Sequence, residues 1–169
     1  MVHFKPPKNK RLFITAIVMI VIGFSGVGFG IYQAHTSKAG QTSNLPNFTP
    51  VLPKGESIDS LEGWQKLTSP EGDVFYAFVD TVNGVTVNVS QQQLPGKFKQ
   101  DLSNKMLEMA RAYNANTKLE AGDGVRVYVG TSAKGPQSVL FTKNGVLVLM
   151  KSWATIPDAE WITYINSMQ

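Results

Sequence analysis

Cysteine is missing from all 169 residues, and histidine occurs only twice, at His3 and His35. The first absence excludes disulfides, thiolate nucleophiles, a lipidated cysteine and thiolate-bound metals. Neither histidine falls in the part of the chain that carries strand and helix patterns. That second gap excludes a Ser-His-Asp or Cys-His arrangement there, together with the usual imidazole-ligated zinc or iron site. A third gap is local: Leu12–Tyr32 reads LFITAIVMIVIGFSGVGFGIY, 21 residues without a lysine, arginine, aspartate or glutamate. As a helix this run reaches roughly 31 Å, the thickness of a hydrocarbon core, and it predicts a transmembrane span.

The flanks of the run give its direction. Lys5, Lys8, Lys10 and Arg11 precede it, whereas only His35 and Lys38 follow closely. The positive-inside bias therefore places residues 1–11 in the cytoplasm as a basic tail that contacts anionic headgroups, and exports everything after residue 32. A cleavable signal peptide is the alternative, because Ser37-Lys38-Ala39 before Gly40 has small residues where a peptidase needs them; the length of the apolar run favours a retained anchor. Tyr32 falls at the outer headgroup level. Gly26 and Gly30 set a GxxxG spacing, a route to a homodimer through the membrane helix, although small residues are common in such helices generally.

A formal charge of +4 and a pI near 9.3 suggest nucleic acid until the charges are placed. From Gln41 onward there are 11 Lys and Arg against 12 Asp and Glu, so the exported part is close to −1 and carries no basic stripe. The expected partners are the bilayer and an unknown protein or envelope component, with no nucleic acid. Two sequons, Asn47-Phe48-Thr49 and Asn88-Val89-Ser90, read as chance matches, the second lying inside a predicted strand.

Residues 33–60 are rich in Thr, Ser, Gly, Asn and Pro, with Pro46, Pro50 and Pro53 spaced along them, and predict a linker. Residues 61–169 then form one exported α+β domain. Within it, an offset of 61 residues lays Asn83-Gly84-Val85 on Asn144-Gly145-Val146, Gly63 on Gly124, Thr81 on Thr142 and Val87 on Val148; after one inserted residue Pro95 falls on Pro157. Asn-Gly is a strong two-residue hairpin signal, and its recurrence in this order points to a duplicated β-β-β-α unit.

Alternating apolar and polar residues predict strands at Trp64–Thr68, Val74–Val82 and Val85–Gln91 in the first unit, and at Val125–Gly130, Ser138–Thr142 and Val146–Trp153 in the second. Thr117–Ala121 adds a short candidate. Phe98, Leu102, Met106, Met109 and Tyr113 recur at helical spacing over Lys97–Tyr113, and Trp161, Ile165 and Met168 do so after Pro157. The expected architecture is an antiparallel sheet of six or seven strands with two helices on one face. Thr86 and Asn88 of the first unit become Leu147 and Leu149 in the second, which with Tyr128 predicts an apolar patch on the uncovered face; burial of both faces of the last strand is the alternative.

Two enzyme designs survive the absences. Paired carboxylates, as in glycoside cleavage, have candidates in Glu71, Asp73, Asp80, Glu120 and Asp123. If Asn83-Gly84 is a two-residue turn, Asp80 lies opposite Val87 on the core side, where Phe141 stands in the second unit; a bulge that rotates Asp80 outward is the preferred expectation. A lysine-activated serine has Ser132 and Lys134, but not the Ser-x-x-Lys spacing. No catalytic residue, metal ligand or cofactor is assigned. As a binding surface the loop is more credible: Thr131, Ser132, Lys134 and Gln137 correspond by the repeat to the acidic loop at Pro70 to Phe75, and with Tyr128, Leu147 and Leu149 they form the candidate site.

Val127-Tyr128-Val129-Gly130 with Lys134-Gly135-Pro136-Gln137-Ser138, together with Ser90-Gln91-Gln92-Gln93-Leu94-Pro95, resembles uncharacterised single-pass membrane proteins of ultrasmall, Saccharibacteria-like candidate-phylum bacteria. The resemblance covers roughly Trp64 to Trp153 and implies an exported bacterial domain, with no activity attached. Together these readings describe a membrane-anchored, non-enzymatic binding module, with a carboxylate-dependent envelope hydrolase as the alternative.

Overall fold

The computed structural model describes residues 45–68, 72–132 and 135–169. The expected membrane anchor and basic tail lie outside the described residues; among those described, no helix is long and apolar enough to cross a membrane. Seven strands make one antiparallel sheet: β1 (Glu62–Thr68), β2 (Val74–Val82), β3 (Val85–Gln93), β4 (Thr117–Ala121), β5 (Val125–Ser132), β6 (Gly135–Lys143) and β7 (Val146–Ser152), in the order β1-β2-β3-β7-β6-β5-β4. Among the described residues three α-helices accompany them, α1 (Gly96–Lys99), α2 (Leu102–Ala112) and α3 (Asp158–Ser167), with a 3-10 turn at Gly122–Gly124.

The 61-residue offset carries β2 onto β6 and brings β1 and β3 over β5 and β7. Asn83 and Gly84 have φ of 48° and 73°, and Asn144 and Gly145 have 51° and 74°, so both hairpins close through the same left-handed two-residue turn. At the centre, β3 pairs with β7 so that Val89 faces Met150, its own equivalent across the offset. A local two-fold normal to the sheet passes through that pair.

The helices break this symmetry. Trp161 and Ile165 of α3 belong to the core built on Val87, Val89, Val148, Met150 and Phe141, on one face. Phe98 of α1, with Met106 and Ala110 of α2, lies on Tyr128, Leu140, Leu147 and Leu149, on the other. The expectation of two helices on one face is therefore corrected: each face has its own. The connections supply the reason. Only Leu94 and Pro95 separate β3 from α1, whereas residues 153–157 separate β7 from α3 and turn the chain onto the opposite side. Every residue of β7 is buried, as a strand covered on both faces must be.

The single helix expected over Lys97–Tyr113 is also divided. Asp101 leaves helical geometry and caps α2, its Oδ1 accepting from the Asn104 N–H at 3.4 Å and its Oδ2 from Asn104 Nδ2 at 2.7 Å. At the far end Asn114 takes φ of 50°, while the Ala115 and Asn114 N–H groups return to the carbonyls of Ala110 and Arg111. This is a Schellman stop with asparagine in the left-handed position. The chain then crosses the face of β5 at Gly130 to reach β4 on the outer edge.

Helix α3 touches both β2 and β4. On a flat sheet these strands would stand five spacings apart, about 24 Å at ~4.8 Å each. A ten-residue helix is about 15 Å long, so the sheet bends toward α3 on this face, and Trp161 and Ile165 are wholly buried beneath it.

Part of the stretch read as linker belongs to this unit. Val51 is 1% exposed in the core, and buried Gln91 on β3 holds its backbone at both groups, accepting from Val51 N at 2.9 Å and donating to Val51 O at 3.4 Å. Leu52 and Gln169 exchange two backbone hydrogen bonds. Phe48 meets Tyr76 edge-on at 5.6 Å, and the Tyr76 hydroxyl donates to Leu45 O at 3.0 Å. Proline and polar composition hid this strap because three apolar residues without a period, Phe48, Val51 and Leu52, and a few hydrogen bonds hold it.

Candidate functional site

The sequence-derived candidates do not meet at one place. Tyr128, Leu147 and Leu149 are 7%, 3% and 5% exposed and lie beneath α1 and α2, so the apolar patch expected on an open face is the floor of a helix. Gln137 is buried and structural: its Oε1 accepts from Ile156 N at 2.8 Å and Trp161 Nε1 at 3.1 Å, and its Nε2 donates to Ile156 O at 3.1 Å. Thr131 is exposed at the end of β5. Lys134 and Glu71 lie outside the described residues, as does the side chain of Ser132. Asn88, of the second sequon, is 4% exposed in mid-strand.

Asp80 is on the core side, opposite Val87, because the turn at Asn83-Gly84 has two residues and no bulge. The expected outward rotation is corrected. Its Oδ1 accepts from Thr81 N and its Oδ2 from the Tyr164 hydroxyl, both at 2.7 Å. Burial first, and this bond second, push the Tyr164 hydroxyl far above its ordinary ionisation range. The carboxylate thus secures α3 to β2. Among the described residues no cluster of three or more His, Cys, Asp or Glu could hold a metal.

A groove of about 440 Å³ opens instead beside the first half of α2, between it and the adjoining ends of β5 and β6. Its apolar wall is Leu102 and Met106 of α2, the Val125 side chain packing on the opposite face; its polar lining includes Arg126, Tyr128, Ser103, Thr142 and Asp123. The volume falls within the range of small-molecule pockets. Arg126 and Tyr128 stand two residues apart on one face of β5, hence about 7 Å apart along the strand. Arg126 Nη1 donates to Ser103 Oγ at 3.1 Å, tying the strand to the start of α2. The Tyr128 hydroxyl makes no hydrogen bond among the described residues. Asp123, held left-handed at φ 59°, is the one carboxylate among the described lining residues.

Of these residues, Tyr128 is a binding candidate and Asp123 a carboxylate candidate from the sequence, whereas Arg126, Ser103 and Thr142 are not among the sequence-derived candidates. A signal existed for Arg126, a cation set between Val125 and Val127 on a strand whose other face is core. Ser103 had none, since its position depends on the break at Asp101. With the fold and groove described, comparison with protein-family models, curated proteins and solved structures finds no match. The described residues form an α+β domain with a seven-stranded antiparallel sheet and a groove beside α2.

Proposed function

We propose that this chain is a single-pass membrane protein whose α+β domain, a duplicated β-β-β-α unit, stands outside the cytoplasm and binds a ligand or envelope component without catalysing a reaction. The uncharged run at Leu12–Tyr32 with its cationic N-terminal flank supports the anchor and its direction. The absence of cysteine and of histidine beyond His35 supports a non-enzymatic role. The observation that carries binding is the groove beside α2, where an apolar wall faces an arginine and a tyrosine hydroxyl. A GxxxG pair in the anchor, Gly26 and Gly30, allows two copies to associate in the bilayer.

Protease added to intact cells expressing a C-terminally tagged chain tests the anchor. The tag is expected to be lost while a membrane-protected N-terminal fragment survives. A protected tag, with a cytosolic reporter active when fused at the same end, overturns the reading. Cross-linking of Gly26→Leu against the wild type tests the dimer, which should diminish.

A further inference from the structure

We propose that the groove beside α2 takes a singly charged organic acid, a carboxylate carried on an apolar body, with Arg126 and Tyr128 holding the carboxylate. The inference rests on the binding-module reading and names the ligand chemistry of its groove.

The charge of the ligand follows from the donors. Of the five N–H donors of Arg126, one is directed to Ser103. Glu120 is its cross-strand neighbour in the β4–β5 register, yet the two form no ion pair. Lys143 also lines the groove, but its ammonium is turned away and donates to Ile165 O at 3.1 Å. One guanidinium is thus available, and Asp123 on the rim, with Glu120 across from Arg126, opposes a second negative charge. A monoanion fits this balance and a polyphosphate does not.

The carboxylate group follows from geometry. A planar guanidinium matches two carboxylate oxygens, and a charge-assisted bond of that kind is stronger than a neutral one. Tyr128 is more than nine-tenths buried, lines the groove, and its hydroxyl has no partner among the described residues. Its separation from Arg126 along the strand, about 7 Å, lets one carboxylate receive from both. The Thr142 hydroxyl lines the same space and bonds to no described residue. The apolar body follows from Leu102 and Met106, with Leu102 left 38% exposed at the entrance.

Such an acid has two sources, the free end of an apolar peptide or a lipid-derived acid. The full chain in lipid nanodiscs is to be probed by saturation-transfer NMR with acetyl-leucyl-leucine, with its C-terminal amide and with octanoate, against empty nanodiscs. Transfer is expected to the peptide acid, to octanoate or to both, and to be at least fivefold weaker for the amide than for the peptide acid where the peptide binds. Arg126→Gln should weaken binding at least tenfold and Tyr128→Phe about threefold, while Arg111→Gln on the last turn of α2 changes nothing. Transfer confined to the peptide acid assigns a chain end, and transfer confined to octanoate a lipid-derived acid. Equal transfer to acid and amide, wild-type binding by a folded Arg126→Gln chain, or no transfer from either acid overturns the proposal. Protease digestion on cells reads the anchor separately, so the two failures are distinguishable.

Discussion

The Tyr164 hydroxyl on α3 donates to Asp80 Oδ2 on β2 at 2.7 Å, a contact across 84 residues that joins the last helix to the first hairpin. Among the described residues α3 makes no other side-chain hydrogen bond to that half of the sheet, so this pair is the polar tie between α3 and β2. Tyr164→Phe keeps the ring and removes the donor, leaving a half-buried carboxylate with Thr81 N alone. The expected cost is about 1–3 kcal/mol, read as a lower urea midpoint with unchanged slope.

The same residue sets a pH dependence. Burial raises the hydroxyls of both Tyr164 and Tyr113 above the ordinary value of 10.0. The folded state therefore keeps these protons after the unfolded chain begins to release them. Their contribution to stability is complete below pH about 10 and is lost as pH rises from there toward the folded-state values. Each tyrosine steepens the fall by up to about 1.4 kcal/mol per pH unit. Urea midpoints between pH 9 and 11.5 should decline, and Tyr164→Phe should make the decline shallower; an unchanged slope would count against a buried hydroxyl.

Gly130 fits because it has no side chain. A Cβ there would meet Ala115 N at 2.7 Å and Ala115 Cα at 2.6 Å, and would run into the Tyr113 carbonyl. These are backbone atoms of the crossing from α2 to β4, held by the Schellman stop, and cannot swing aside. Gly130→Ala is expected to cost about 3 kcal/mol or more and to lower the thermal midpoint accordingly.

Leu149 reports on which face α2 covers. It lies with Leu147, Leu140 and Tyr128 under Phe98, Met106 and Ala110, so Leu149→Ala should cost about 2–5 kcal/mol. A substitution at an open ligand patch would leave stability nearly unchanged. Thermal unfolding of the variant separates the two.

Strands and turns were legible because their signals are local. The β2–β3 and β6–β7 hairpins follow from Asn-Gly and alternation alone, and Thr117–Ala121 forms the short strand its pattern allowed. Helix sidedness was not legible, since it depends on a two-residue connection after β3 and a longer one after β7, whose paths no periodicity records. Leu147 and Leu149 did carry the signal, as apolar replacements for Thr86 and Asn88, but an apolar outward position says only that something covers it. The groove was hidden for a related reason: Arg126, Ser103 and Thr142 come from three elements and meet only after Asp101 has broken the helix.

Two glutamines grip passing backbone in the same manner, and their loss should differ in kind. Gln137→Leu leaves Ile156 N and Trp161 Nε1 without their acceptor inside the core, so about 2–4 kcal/mol of global stability is expected to go. Gln91→Leu releases Val51, which lies on a strap rather than in the sheet. Local opening there costs less than unfolding the domain. Limited proteolysis of the Gln91 variant should cut within residues 45–53 several-fold faster than in the wild type, while the sheet amides keep most of their hydrogen-exchange protection. Equal loss of protection across β5–β7 would mean that the strap is part of the cooperative core, because only global unfolding exposes those strands together.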